Sequence, residues 1–294
     1  MKGGMVYQKN DAPWPIDALV DYPIKNRGDL KNYHVPDAIL PGQDSGIKAV
    51  VEMYSDDITI LGAVNDPLTT AWLIVGYEKI CYILYDDPEL IKEVLKISNK
   101  YFKEAARRSV ESGCIGSWVR EDLGDSDRGF FSLDDFQKNF LPYLMEIVDN
   151  IDSLGVPILL HSCGHRTDYL DDLAQTKITA IHPLQCTTGM DLRKIEKQLG
   201  HRFRIIGNIG PTKTLPFGSP EEVAAEVNAA IENAAARVVI CWLLVIPCTM
   251  EFPLKTLLRC FVSEENMVVR FRENKKFLRL NRKVNKILVD LINE

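Results

Sequence analysis

An α/β barrel wound on a parallel sheet is the fold class this sequence predicts, and three observations predict it. From about residue 58 onward, short apolar runs of strand character alternate with amphipathic runs of helical period. Strands separated by helices imply parallel pairing with right-handed crossovers. The sharpest strand, Val156 to Leu160, breaks off into His161-Ser162-Cys163-Gly164. Polar chemistry therefore stands where a buried strand ends, which is where such barrels carry their sites.

The 294 residues suffice for one large domain, and α/β barrels use about 250. A hydrophobic content of 46% beside 26% charged residues allows a substantial core. The net charge of -6 argues against a surface devoted to nucleic acid. Seven cysteines, odd in number and irregularly spaced, fit free thiols in a reducing compartment better than a disulfide framework. Met1-Lys2-Gly3-Gly4-Met5 carries no signal-peptide apolar region. The longest apolar run, Val238 to Cys248, is about half of the ~20 residues a membrane helix requires. A soluble, cytoplasmic protein without a membrane span is expected.

Residues 1–56 are rich in Pro, Asp and Asn and are expected to form loops and short helices, including one over Pro23 to Leu30. The barrel core is expected over 57–265, its first strand at Ile58 to Gly62. Helices follow at Thr69 to Ile80 and Pro88 to Ser112, the second opened by Asp87 as cap and Pro88 in the first turn. Cys114 to Val119 reads as a short strand, and Ser132 caps a helix running through Ile151. Further strands are expected at Val156 to Leu160, Ile178 to Ile181, Phe203 to Ile206 and Val238 to Val245. Helices fit between them at 166–175, 190–199 and 219–236, the last behind the cap signature Ser219-Pro220-Glu221-Glu222. Asp191 reads as another helix cap. Six strands are clear where a (β/α)8 TIM-type barrel has eight. Residues 266–294 form a third segment, basic and amphipathic, with Phe277, Leu280, Val284, Ile287, Leu288 and Leu291 at helical spacing. The simpler expectation is a helix packed on its own domain; contact with a partner or an anionic surface is the alternative.

In a parallel barrel the strand ends converge on one mouth. They supply Asn65 and Asp66, Arg120-Glu121-Asp122, His161 and Cys163, His182 and Gln185, Gly207-Asn208, and a last position near Cys248. A catalytic zinc takes three protein ligands and keeps a fourth position open. His161, Cys163 and one distant cysteine would provide the three. Cys241 lies inside an apolar run, where a cysteine is usually inert packing. Cys248 follows Ile246-Pro247, where the strand ends, and is the favoured third ligand, with Cys241 as the alternative. Two thiolates cancel most of the ion's charge, which favours holding an incoming thiol as thiolate over activating water.

Tyr85-Asp86-Asp87-Pro88-Glu89-Leu90, Glu121-Asp122-Leu123-Gly124, Phe131-Ser132-Leu133-Asp134-Asp135-Phe136, Leu141-Pro142-Tyr143-Leu144, Leu160-His161-Ser162-Cys163-Gly164-His165, Pro183-Leu184-Gln185, Gly189-Met190-Asp191-Leu192 and Gly207-Asn208-Ile209 occur in that order. As a set over residues 20–255 they resemble the uroporphyrinogen decarboxylase superfamily, and more closely its methylcobamide:thiol methyltransferase-like branch. The resemblance implies a (β/α)8 barrel. It implies Zn2+ on a His-x-Cys pair and a later Cys, which fall on His161, Cys163 and Cys248. It also implies a methylcorrinoid carried by a partner protein as methyl donor, and a small thiol or similar acceptor. Decarboxylases of the superfamily lack the His-x-Cys-Gly element and begin with an arginine-rich segment that has no counterpart here.

The remaining mouth residues would surround the bound substrate and cofactor. Glu121 and Asp122 would hydrogen-bond the substrate or orient a ligand, or else form a structural acid pair. Asn208, beside Gly207, suits close approach of a bound ligand or a plain strand-to-helix turn. Gln185 and His182 would line the mouth, with Gln185, Gly207 and Asn208 on the cofactor side. Superfamily members carry about two more strands before the region matching Pro23, so either the first 50 residues close the barrel irregularly or it lacks the first strands of the family barrel. An open parallel edge would favour homo-oligomers. Two other readings stand beside the methyltransferase: a catalytically degenerate, truncated barrel with a binding role, and a decarboxylase.

Overall fold

The computed structural model describes residues 7–9, 17–19, 22–34, 43–56, 59–207, 209–210, 214–233 and 238–239. Asn208, Cys241, Cys248 and the basic segment 266–294 lie outside the described residues.

Two short strands, β1 (Tyr7–Lys9) and β2 (Asp17–Leu19), form an antiparallel ribbon. The helices α1 (Arg27–Asn32) and α2 (Gln43–Tyr54) follow. The segment read from sequence as loops and short helices thus contains a twelve-residue helix. Six parallel strands then succeed one another: β3 (Gly62–Asn65), β4 (Ser117–Arg120), β5 (Ile158–His161), β6 (Ala180–His182), β7 (Arg204–Ile206) and β8 (Val238–Val239). Each pairs with its sequence neighbour, and the order never reverses. An open doubly wound sheet reverses its strand order; uninterrupted succession is the winding of a TIM-type barrel.

Helices fill the crossovers. After β3 come α3 (Pro67–Val75), α4 (Tyr77–Asp86) and α5 (Pro88–Glu111). The single helix expected over Thr69 to Ile80 is two, because Gly76 at φ 103° breaks it. After β4 come α6 (Leu133–Asp135), a wide π turn (Phe136–Phe140) and α7 (Leu141–Ser153). The π turn ends two residues before Pro142, which has no N–H to continue an α ladder. A 3-10 turn (Thr167–Tyr169) and α8 (Leu170–Leu173) follow β5. Next are α9 (Leu192–Leu199), α10 (Thr214–Phe217) and α11 (Pro220–Asn233).

The capping signals act as read. Asp87 accepts from Leu90 N, Ser132 Oγ from Asp135 N, and Asp191 Oδ1 from Arg193 N and Lys194 N. At α11 the pair is reciprocal: Glu222 N donates to Ser219 Oγ and Ser219 N donates to Glu222 Oε2, a capping box.

The first strand lies four residues later than expected, at Gly62–Asn65 instead of Ile58 to Gly62. Pairing sets this: Gly62 faces Ser117 and Asn65 faces Arg120. Just before it Ile60 O accepts a single bond from Ile115 N, and the paired register begins only at Gly62. For the same reason β4 begins at Ser117 instead of Cys114.

In-register parallel strands put facing residues on one side of the sheet. Ala63, Trp118, Leu159, Ala180 and Arg204 form one such row. The alternate residues Val64, Val119, Leu160, Ile181 and Ile205 are buried toward the helices. Leu160 is fully buried on a strand with neighbours on both sides. Leu160→Ala is expected to lower unfolding free energy by about 3 kcal/mol, read from urea denaturation; a loss below about 1 kcal/mol would contradict the packing.

Candidate active site

One row above, at the C-terminal ends of the strands, facing positions are Asn65, Arg120, His161 and His182. A side chain two residues on returns to the same face of an extended chain. That rule carries Asp122 beyond Arg120 and Cys163 beyond His161, and it explains the His-x-Cys spacing. The strand-end loops are then laced together. Glu121 N donates to His161 O at 2.8 Å, Cys163 N to Asp122 Oδ1 at 2.9 Å, and Leu123 N to Ser162 Oγ at 3.1 Å.

His161 Nε2 lies 3.5 Å from Cys163 Sγ and 3.7 Å from Asp122 Oδ1. The three ligand atoms all fall within 4.8 Å of one another. A tetrahedral zinc at about 2.0 Å from nitrogen and 2.3 Å from sulfur has an N···S edge of roughly 3.6 Å. The imidazole and thiol therefore already stand at ligand separation, and the soft donors are those zinc selects. Burial lowers the His161 pKa, with Asp122 pulling the other way, so the ring is held in its neutral, ligating form. Burial, helped by Asp122, pushes the Cys163 thiol up to about 11. A cation taken up here displaces that proton.

Glu121 and Asp122 do not act as one pair. Glu121 turns to the opposite side, is 1% exposed, and meets the fully buried Asp66. Burial carries Asp66 up to about 7, and burial with the neighbouring Asp66 holds Glu121 well above the carboxylate range. Asp66 Oδ2 and Glu121 Oε2 are buried without an N–H or O–H donor, an environment that disfavours ionising both carboxyls at once.

Gln185 sits at the mouth as an anchor: its Oε1 accepts from Gly164 N at 3.0 Å and its Nε2 donates to Thr187 Oγ1. Gly207 ends β7 at φ 106° against Pro183, and chain packing by itself accounts for a glycine there. His182 meets His161 through Nδ1 atoms 2.9 Å apart.

Arg166 was not singled out from sequence. It is fully buried and donates to the carbonyls of Ser162 at 2.6 Å and Pro183 at 2.8 Å. Burial lowers its pKa to about 10, which leaves it charged at neutral pH beside Cys163 and Asp122. No local pattern distinguishes it from a solvated arginine; only the turn after β5 folds it inward.

Comparison with known proteins agrees with the fold. The family description for uroporphyrinogen decarboxylase (URO-D) matches residues 15–241. The methylcobamide:CoM methyltransferase MtbA of Methanosarcina acetivorans is 25% identical over 210 residues, 70% of this chain and 60% of that protein. A chloroplastic uroporphyrinogen decarboxylase 2 of Oryza sativa is 22% identical over 213 residues, 68% of this chain and 51% of that protein. The chain thus spans about three-fifths or less of these relatives' length. A solved methyltransferase from Methanosarcina mazei superposes with a TM-score of 0.69 at 20% identity, covering 88% of this chain and 74% of that one. The fold is theirs, and by the match over most of its length the chain belongs to the uroporphyrinogen decarboxylase family.

Proposed function

We propose that this chain is the barrel of a zinc-dependent methyltransferase that moves a methyl group from a methylated corrinoid on a partner protein to a thiol or similar acceptor. The observation that supports it is the convergence of His161 Nε2, Cys163 Sγ and Asp122 Oδ1 at the barrel mouth. His161 and Cys163 would hold the ion with Cys248, and Asp122 stands within reach as an orienting or ligating carboxylate. Bound zinc would supply a charge that keeps an acceptor thiol deprotonated at neutral pH. Relatives named as methylcobamide:CoM methyltransferases favour this acceptor chemistry over decarboxylation.

The chain's own residues would prepare that site. Asp122 fixes the Cys163 backbone through its N–H, Gln185 fixes the next amide, and Arg166 ties the loop to the Pro183 carbonyl. Gln185, Gly207 and Asn208 would flank the corrinoid side. Glu121 would act from beneath, through its buried contact with Asp66. We assign 57–265 to the barrel, with 1–56 and 266–294 as flanking segments. No described helix is long and apolar enough to cross a membrane.

Elemental mass spectrometry on protein purified under reducing conditions tests this. About one zinc per chain in the wild type, lost in Cys163→Ser and Cys248→Ser, is expected. No metal after zinc supplementation would overturn the assignment and leave a degenerate binding barrel. Decarboxylation of a tetrapyrrole that survives chelation would point to the decarboxylase instead.

A further inference from the structure

His161 and His182 end neighbouring strands in register, and their Nδ1 atoms are 2.9 Å apart. Two bare ring nitrogens at that distance would repel, so one of them carries the hydrogen and the other accepts it. The other nitrogen of His161, Nε2, faces Cys163 Sγ and Asp122 Oδ1. A neutral imidazole has one N–H. If Nε2 is to offer its lone pair to an ion, the hydrogen must sit on Nδ1, and His182 must receive it at its own Nδ1. The hydrogen of His182 is then on Nε2.

The second ring is well held for this task. His182 is 6% exposed, and its backbone carbonyl accepts from Ser162 N at 2.6 Å. Trp118 stands edge-on to both rings, 5.7 Å from His161 and 6.2 Å from His182. Metal-binding histidines usually donate their free N–H to a carboxylate, a backbone carbonyl or water. A neutral imidazole orients the ligand without adding negative charge to a mouth that already holds Asp122 and the Cys163 sulfur.

We propose that His182 is a positioning residue that locks His161 in the Nδ1–H tautomer and aims Nε2 at the metal position. This rests on the zinc reading above, and the test separates the two. Nitrogen NMR of the metal-free protein, with ring nitrogens labelled, reports the tautomers directly: His161 is expected as Nδ1–H and His182 as Nε2–H. His161 found as Nε2–H would overturn the proposal whatever the protein does with zinc. Zinc affinity, measured with the metal alone against a chromophoric chelator, supplies the second readout. His182→Leu removes the acceptor and is expected to weaken binding by about 10- to 100-fold. His182→Asn restores an acceptor, Oδ1, near the position of Nδ1, and is expected to recover most of that loss. Equal affinity of His182→Leu and wild type would overturn the proposal. If wild type binds no zinc, the metal reading fails and the tautomer spectrum alone decides. Should His182→Leu not fold, the Asn variant and the wild-type spectrum still decide.

Discussion

Gly164→Ala is expected to cost about 3 kcal/mol or more of unfolding free energy and to weaken zinc binding at least about tenfold. Gly164 has φ 78°, and a Cβ there would run into the carbonyl oxygen of Gly124. The converse also holds, since a Cβ on Gly124 would run into the carbonyl of His165. The loops after β4 and β5 therefore cross backbone to backbone, and His165 N donates to Asp125 O at 2.7 Å across the crossing. That crossing sets how far Asp122 stands from Cys163. Gly155→Ala is the control: its φ is 75°, but its Cβ would meet open space, so only about 1 kcal/mol is expected with zinc binding unchanged. Urea unfolding and chelator competition on both variants decide the matter. Equal effects of the two would mean that the crossing is not what holds the site.

The second large effect concerns pH. Asp66 and Glu121 are buried together, and both have pKa values raised in the folded chain. The folded state then binds protons more tightly than the unfolded one. Stability from this pair is present below the unfolded value near 4 and is lost as pH rises toward the folded value, about 7 for Asp66. In Glu121→Gln the amide donates to Asp66 and no second charge remains to repel it. The stability of the variant relative to wild type is therefore expected to climb by a few kcal/mol from pH 4.5 to pH 8. Urea unfolding at four or five pH values measures this, and titrations common to both proteins cancel in the difference. A difference that stays flat with pH would show that the two carboxyls are not kept from ionising together. Retaining so costly a pair beneath the mouth is the usual mark of a functional site.

Much of the fold was legible because the signals are local. Ser132, Asp191 and Asp87 each cap a helix through an amide two or three residues away, and Ser219 with Glu222 closes a box over the same span. The split at Gly76 and the start of β3 were not legible. Both depend on partners far along the chain: Ile24 N bonds Ile74 O just before the break, and β4 fixes the register of β3.

The site divides in the same way. His161 and Cys163 follow from sequence, since two residues apart on an extended strand end must share a face. Asp122 was visible as a strand-end acid, but its 3.7 Å approach to His161 was not. The separation of Glu121 from Asp122 follows from strand alternation once β4 is placed. Its union with Asp66 needed the neighbouring strand.

By itself, then, the sequence determined the alternation of strands and helices, the caps that bound them, and the two soft donors at one strand end. Each of these is an interaction among residues within a few positions, fixed by backbone geometry. The tertiary structure decided the approach of Asp122 to His161 and Cys163, the His161–His182 contact, the buried Arg166 and the Asp66–Glu121 pair. These join residues 17 to 55 positions apart, whose meeting depends on the register of parallel strands. Register is set by the packing of the whole sheet against its helices, and no short stretch of sequence carries it.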